Sequence, residues 1–182
     1  MKRIDNFENV KPSSDEVNNP QAGGYVLTIK NIRDVEDKEY LKMLVDISEG
    51  EYKDHYQKLY EEHGFWGLLN YASYKTKAQG MFKRFIDAVE KSNVGYSWNW
   101  DEKSLKGKKI GAVLREEAYV SKNGEEKTTL RVHQVYTVED IKKGNFKVPP
   151  KKELDESQRK QLKQSGNTTK PKDIQIDDDI QF

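Results

Sequence analysis

From Gly23 onward the chain alternates. Tyr25, Leu27 and Ile29 fall on one face of an extended segment, and Val26, Thr28 and Lys30 on the other. A charged turn, Glu36-Asp37-Lys38, leads into a second run, where Leu41, Met43, Val45 and Ile47 alternate with Tyr40, Lys42, Leu44 and Asp46. A hairpin with one buried face is predicted. The stretch 51–74 is ambiguous, because Tyr52, Tyr56 and Tyr60, spaced by four, share a face of a strand and roughly of a helix. Gly64 and Gly67 bracket Phe65-Trp66 and argue against a helix through that point. The reading favours a strand and an irregular aromatic stretch.

Residues 75–92 carry the clearest helical period, with Ala78, Met81, Phe82, Phe85, Ile86 and Val89 on one side and Lys83, Arg84, Asp87 and Glu90 opposite. Asn93 and Gly95 are suitable terminators. An aromatic loop, Tyr96 to Trp100, follows, and its Trp98 and Trp100 are expected to pack against the helix end. A second hairpin comes next. Ile110, Ala112 and Leu114 alternate with Gly111, Val113 and Arg115 in a strand reaching Val120. Asn123-Gly124 suits a type I′ turn, in which both central residues take positive φ. Thr128 to Tyr136 returns, with Leu130, Val132 and Gln134 on one face and Thr129, Arg131 and His133 on the other. Thr137 to Ile141 reads as a short capped turn, and Pro149-Pro150 closes the domain.

This order predicts a flexible arm at 1–20, one domain at 21–150, a disordered linker at 151–172 and an acidic tip at 173–182. The fold class expected is mainly β with one helix: strand, strand, strand, helix, strand, strand. That is the order of a five-stranded oligonucleotide/oligosaccharide-binding (OB) barrel, a fold that commonly holds single strands.

Composition narrows the picture. The 182 residues suit one domain with a tail. Charged residues make up 35% and hydrophobic ones 34%, which implies a modest core. Without cysteine there are no disulfides, thiol catalysis or Cys-ligated zinc, which suits a reducing cytoplasm. No apolar run approaches the ~20 residues of a membrane span, and no hydrophobic signal region follows Met1-Lys2-Arg3. A location in the cytoplasm and no membrane partner are expected. Tyrosine is in excess, at 10 of the 19 aromatic residues, so surface rings with a task compete with half-buried strand tyrosines.

Net charge is only +1, but it is unevenly placed. The last ten residues hold four acids and no Lys or Arg, and setting those four aside leaves residues 1–172 at +5. An acidic run ending in Phe182 suits a basic pocket with an apolar floor, which the ring fills while carboxylates pair with Lys or Arg. Asp177-Asp178-Asp179-Ile180-Gln181-Phe182 resembles the acidic tip of bacterial and phage single-stranded DNA-binding proteins, which usually have Pro where this chain has Gln181. In that family an OB domain holds the strand and the tip recruits replication, recombination and repair enzymes. The resemblance implies Asp177, Asp178, Asp179, Ile180 and Phe182 as partner-binding residues. The body, through Gln21-Ala22-Gly23-Gly24-Tyr25, Gly64-Phe65-Trp66-Gly67, Leu105 to Arg115 and Val138 to Pro149, resembles a family of small phage and prophage proteins of Gram-positive bacteria. It implies a phage replication or recombination module, located in the host cytoplasm.

A binder of single strands without sequence preference needs rings to stack bases and cations to track phosphates. Candidate stackers are Tyr40, Tyr52, Tyr56, Tyr60, Phe65, Trp66 and Tyr119. Candidate phosphate contacts are Lys30, Arg33, Lys42, Lys53, Lys108, Lys109, Arg115 and Arg131. No cofactor and no metal are expected. The only tight carboxylate cluster lies in the tip, His55, His63 and His133 are scattered, and there is neither a P-loop nor a Rossmann fingerprint. The expectation is therefore a non-enzyme acting in DNA replication, recombination or repair. A DNA-free OB adaptor, a strand-annealing recombinase and a nuclease are the competing classes. A homo-oligomer is compatible with the exposed strand faces.

Overall fold

A computed structural model describes residues 19–165. Its five strands, β1 (Gly23–Val35), β2 (Tyr40–Ile47), β3 (Leu69–Ser73), β4 (Lys109–Val120) and β5 (Glu126–Tyr136), form one antiparallel sheet in the order β3-β2-β1-β4-β5. The helices are α1 (His55–His63), α2 (Gln79–Ser92), α3 (Val138–Lys143) and α4 (Glu156–Ser165), against the single helix expected. The chain is thus mainly β, with an antiparallel sheet of the expected strand number. No ladder joins β3 to β5 among the described residues, so the sheet does not close on itself.

One face of the sheet is the core. Leu27 pairs with Ile47, Ile29 with Val45 and Ile32 with Met43, and a bulge between Ile29 and Asn31 keeps Ile32 on the apolar side despite its even number. Ile110, Ala112 and Leu114 extend that face, and Phe85, Ile86 and Val89 of α2 cover it. Met81, assigned to the apolar stripe by its spacing, is instead 76% exposed. Asn93 ends α2 and ties it to β4: its amide donates to the carbonyls of Val89 (2.7 Å) and Lys109 (2.8 Å), and its oxygen accepts from Lys109 N (2.9 Å). A second bulge, at Val113/Leu114, makes His133 the extra residue. Val135, not Gln134, therefore joins Val132 against the core.

Three local expectations change. Residues 55–63 are helical, not extended, and β3 is confined to Leu69–Ser73. The helix stops where the glycines predicted, at Gly64 with φ 74°. Its start is set from a distance by Asp46 on β2. That buried carboxylate accepts from the backbone N–H of Ile47 (2.8 Å), Tyr56 (3.0 Å) and Gln57 (3.0 Å). At the second hairpin only Gly124 takes positive φ (76°), so the turn is a longer loop closed by Ser121 N to Glu125 O (2.8 Å) rather than type I′. The described structure also runs past the expected boundary at 150, where Lys152 bridges Glu117 of β4, Leu154 is buried and α4 follows.

On the reverse side of the sheet α3 lies close. Thr137 caps it, its hydroxyl accepting from Asp140 N (3.0 Å), as the sequence predicted. The approach requires glycine: a Cβ on Gly111 would stand 2.3 Å from the Thr137 carbonyl oxygen, and one on Gly24 2.3 Å from the Phe146 ring.

Candidate nucleic-acid interface

Away from α3, and beyond the buried Leu44, the reverse face of β1, β2 and β3 turns polar and aromatic. Register places Arg33 opposite Lys42 and Lys42 opposite Tyr71, so three strands line up two cations and a ring. In the next row Val35, Tyr40 and Ser73 stand abreast. The Tyr40 and Tyr71 rings meet edge to face, 5.6 Å apart at 70°. The opposite sides of these strands carry Leu41, Met43 and Ala72, so core burial fixes which side chains point out. Tyr71 keeps half its surface exposed. Burial of the rest pushes its phenol above the usual value, and the Arg131 guanidinium on β5 pulls it back, so Arg131 lies within electrostatic reach across the seam.

That seam is a groove of about 810 Å³ between the edges of β3 and β5. Phe82 and Phe85 of α2 line it, Tyr40 and Tyr71 border it, and Lys38, Lys75 and Arg84 add positive charge. Asn70 also faces it, 94% buried, and its side-chain amide nitrogen has no hydrogen-bond partner among the described residues. A buried donor left unpaired costs roughly 1–3 kcal/mol, so a ligand acceptor would gain there.

The sequence candidates divide. Arg33, Tyr40, Lys42 and Arg131 share this neighbourhood. Arg115 pairs with Arg131 across the hairpin but is engaged by Glu117 in an ion pair. Tyr119 lies farther along that hairpin face, opposite Lys127. Lys30 is held by Asp54 (3.2 Å) and Gln57 (3.1 Å), and Lys109 by Glu49 (3.2 Å). Lys108 sits over the Tyr96 ring at 4.6 Å. Tyr56 is a core residue, 5% exposed, and offers no ring to a base; burial drives its phenol strongly upward. Tyr52 packs against Tyr25 and His55, and Tyr60 against Trp66. Trp66 donates its indole N–H to the Val45 carbonyl (3.0 Å), a structural tie. Phe65 is 55% exposed but stacks on His63, and Lys53 is exposed beside α1. Neither belongs to the rows on β1 to β3.

Sequence reasoning missed Tyr71, Asn70, Lys38, Lys75 and Arg84, because it did not resolve β3 and so could not see which edge faces β5. The only signal was the short alternation Leu69-Asn70-Tyr71-Ala72-Ser73. The tip residues Asp177, Asp178, Asp179, Ile180 and Phe182 lie outside the described residues. Among the described residues no group of three or more His, Asp or Glu side chains is placed to hold a metal ion, and no helix is long and apolar enough to cross a membrane. Comparison with known protein families and with curated proteins found no match for this chain.

Proposed function

We propose that this chain is a non-catalytic single-stranded DNA-binding protein of phage or prophage origin, and that its sheet is an OB-type barrel left open at the β3–β5 seam. The observation that carries the reading is the row Arg33, Lys42 and Tyr71 with Tyr40 beside it, bordering a groove that holds an unpartnered Asn70 amide. In this reading phosphates run along Arg33, Lys42 and Arg131, while bases stack on Tyr40 and Tyr71 at about 1–3 kcal/mol each. The Asn70 amide donates to a base carbonyl, a group every pyrimidine presents. The acidic tip recruits replication, recombination or repair enzymes in the host cytoplasm.

Fluorescence titration with dT oligomers and a matching duplex, at several salt concentrations, tests this. Tight, salt-dependent binding to single strands and weak binding to duplex are expected. Tyr40→Ala/Tyr71→Ala should weaken binding by about 2 kcal/mol or more. Lys42→Ala should lower the salt slope by about 0.7. Full affinity in the double tyrosine variant would refute this face as the interface.

A further inference from the structure

A second cavity differs in character from the seam groove. It opens between the end of β1, α2 and the loop after α2, with a volume of about 820 Å³. Its aromatic wall is continuous: Phe82 meets Tyr74 at 6.0 Å and Trp98 at 6.4 Å, and Trp98 meets Trp100 at 6.2 Å. Asp34, Glu36, Glu90 and Glu102 line it too. The one lysine among the lining residues, Lys83, is paired with Asp87 on the next turn of its own helix. Phosphate is repelled here, and the seam's ligand does not suit this site.

Three details define what would fit. Asp34 accepts from the Tyr74 hydroxyl (2.8 Å) and Glu90 from Trp98 N (2.8 Å), whereas Glu36 and Glu102 have no ion-pair partner among the described residues. The Trp98 indole N–H is buried without an acceptor among the described residues. Trp100, 83% exposed, is held in the left-handed region at φ 66°, a conformation a non-glycine residue adopts at a cost of about 1–2 kcal/mol. The phenol of Tyr74 is pushed up to about 12 by burial first, then by its hydrogen bond to Asp34 and the charges of Glu36 and Glu39, which marks a negative local field.

We propose that this pocket captures an arginine side chain from an extended segment of a partner protein. The guanidinium stacks against Trp100 and Trp98 and pairs with Glu36 and Glu102, and a backbone carbonyl of the same segment accepts the Trp98 indole N–H. Rings plus carboxylates select a cation, and the orphaned indole donor selects a ligand that also carries an acceptor. A peptide has both, and a polyamine has only the first.

The test follows the indole N–H resonances of Trp98 and Trp100 in the full chain, titrated with capped Gly-Gly-Arg-Gly-Gly, the same peptide with citrulline for arginine, and spermidine. Both indole signals should move with the arginine peptide and stay in place with citrulline. Trp100→Ala, at a position 83% exposed, should weaken binding by about fivefold or more, with the amide spectrum of the sheet unchanged. Glu36→Gln/Glu102→Gln should weaken it severalfold, and added salt should then matter less. Equal response to citrulline, or to spermidine with the Trp98 signal unmoved, would overturn the proposal, as would no response. Indole shifts that grow with protein concentration alone would assign the pocket to a second copy of this chain and overturn the partner reading.

Discussion

Replacing Asp46 by alanine should be among the most damaging single changes in this chain. Asp46 is fully buried on β2. Its Oδ1 accepts from Ile47 N and Tyr56 N, and its Oδ2 from Gln57 N. The second and third of these are free N–H groups of the first turn of α1, which Asp54, the residue preceding the helix, does not cap. Alanine strands all three donors. At about 1–3 kcal/mol for each buried donor, with Gln57 near enough to solvent to recover part of its share, the loss comes to about 3–5 kcal/mol. Asp46→Asn retains an acceptor at the Oδ1 position but turns an NH₂ toward Gln57 N, so about 2 kcal/mol is expected. Burial pushes the Asp46 carboxyl above the ordinary aspartate value, against the pull of the three N–H groups and Lys30. The folded chain then holds a proton that the unfolded chain has released, and stability falls as pH rises from the ordinary aspartate range through the folded-state value. Asp46→Asn should lack that slope. Urea unfolding followed by circular dichroism gives the energies, and amide exchange along α1 gives the location. An Asp46→Ala variant within 1 kcal/mol of wild type, with α1 amides still protected, would refute the long-range capping argument.

Two further outcomes follow from close contacts and charge. Gly111→Ala should cost about 1–3 kcal/mol in urea unfolding, because its Cβ meets a backbone carbonyl at 2.3 Å that cannot rotate away, whereas the Phe146 ring facing Gly24 can turn. Tyrosinate absorbance should show the Tyr74 phenol lagging to about pH 12, with the core phenol of Tyr56 also held back, and Asp34→Ala should bring the Tyr74 step alone down. Because its folded-state value is raised, the stability linked to Tyr74 is complete below the ordinary tyrosine pKa of about 10 and is lost as pH rises through about 12.

The strands and α2 were legible wherever a single face decides burial. Leu41, Met43, Val45 and Ile47 alternate because one side of β2 is core, although Leu44 and Asp46 are buried on its other side as well, and Phe82, Phe85, Ile86 and Val89 recur because one side of α2 is core. Helix α1 was not legible, since the carboxylate that starts it belongs to a strand eight or more residues away and a spacing of four suits both structures. The bulges at Ile29/Asn31 and Val113/Leu114 each reverse an alternation that sequence alone extends unbroken. For the candidate interface, Arg33, Tyr40 and Lys42 could be found by face, but the partners that engage Lys30, Lys109 and Lys108 are set by tertiary contact. Asp54, Glu49 and Tyr96 are neighbours in space only.

The short bridge at Lys152 has a consequence for how this molecule meets others of its kind. Pairing of β1 with β4 ends at Gly23 and Leu114, so beyond that point one side of β4 would present bare N–H and C=O groups. Lys152 occupies them, donating to Glu116 O (2.9 Å) and accepting from Ala118 N (2.8 Å), with Leu154 buried just beyond. Bare strand edges recruit strands of other molecules, and a single rung bearing a charged side chain blunts them. A chain shortened at residue 150 should expose this edge of β4, and light scattering that shows larger species than for the full chain would assign edge protection to the stretch that composition reads as a spacer.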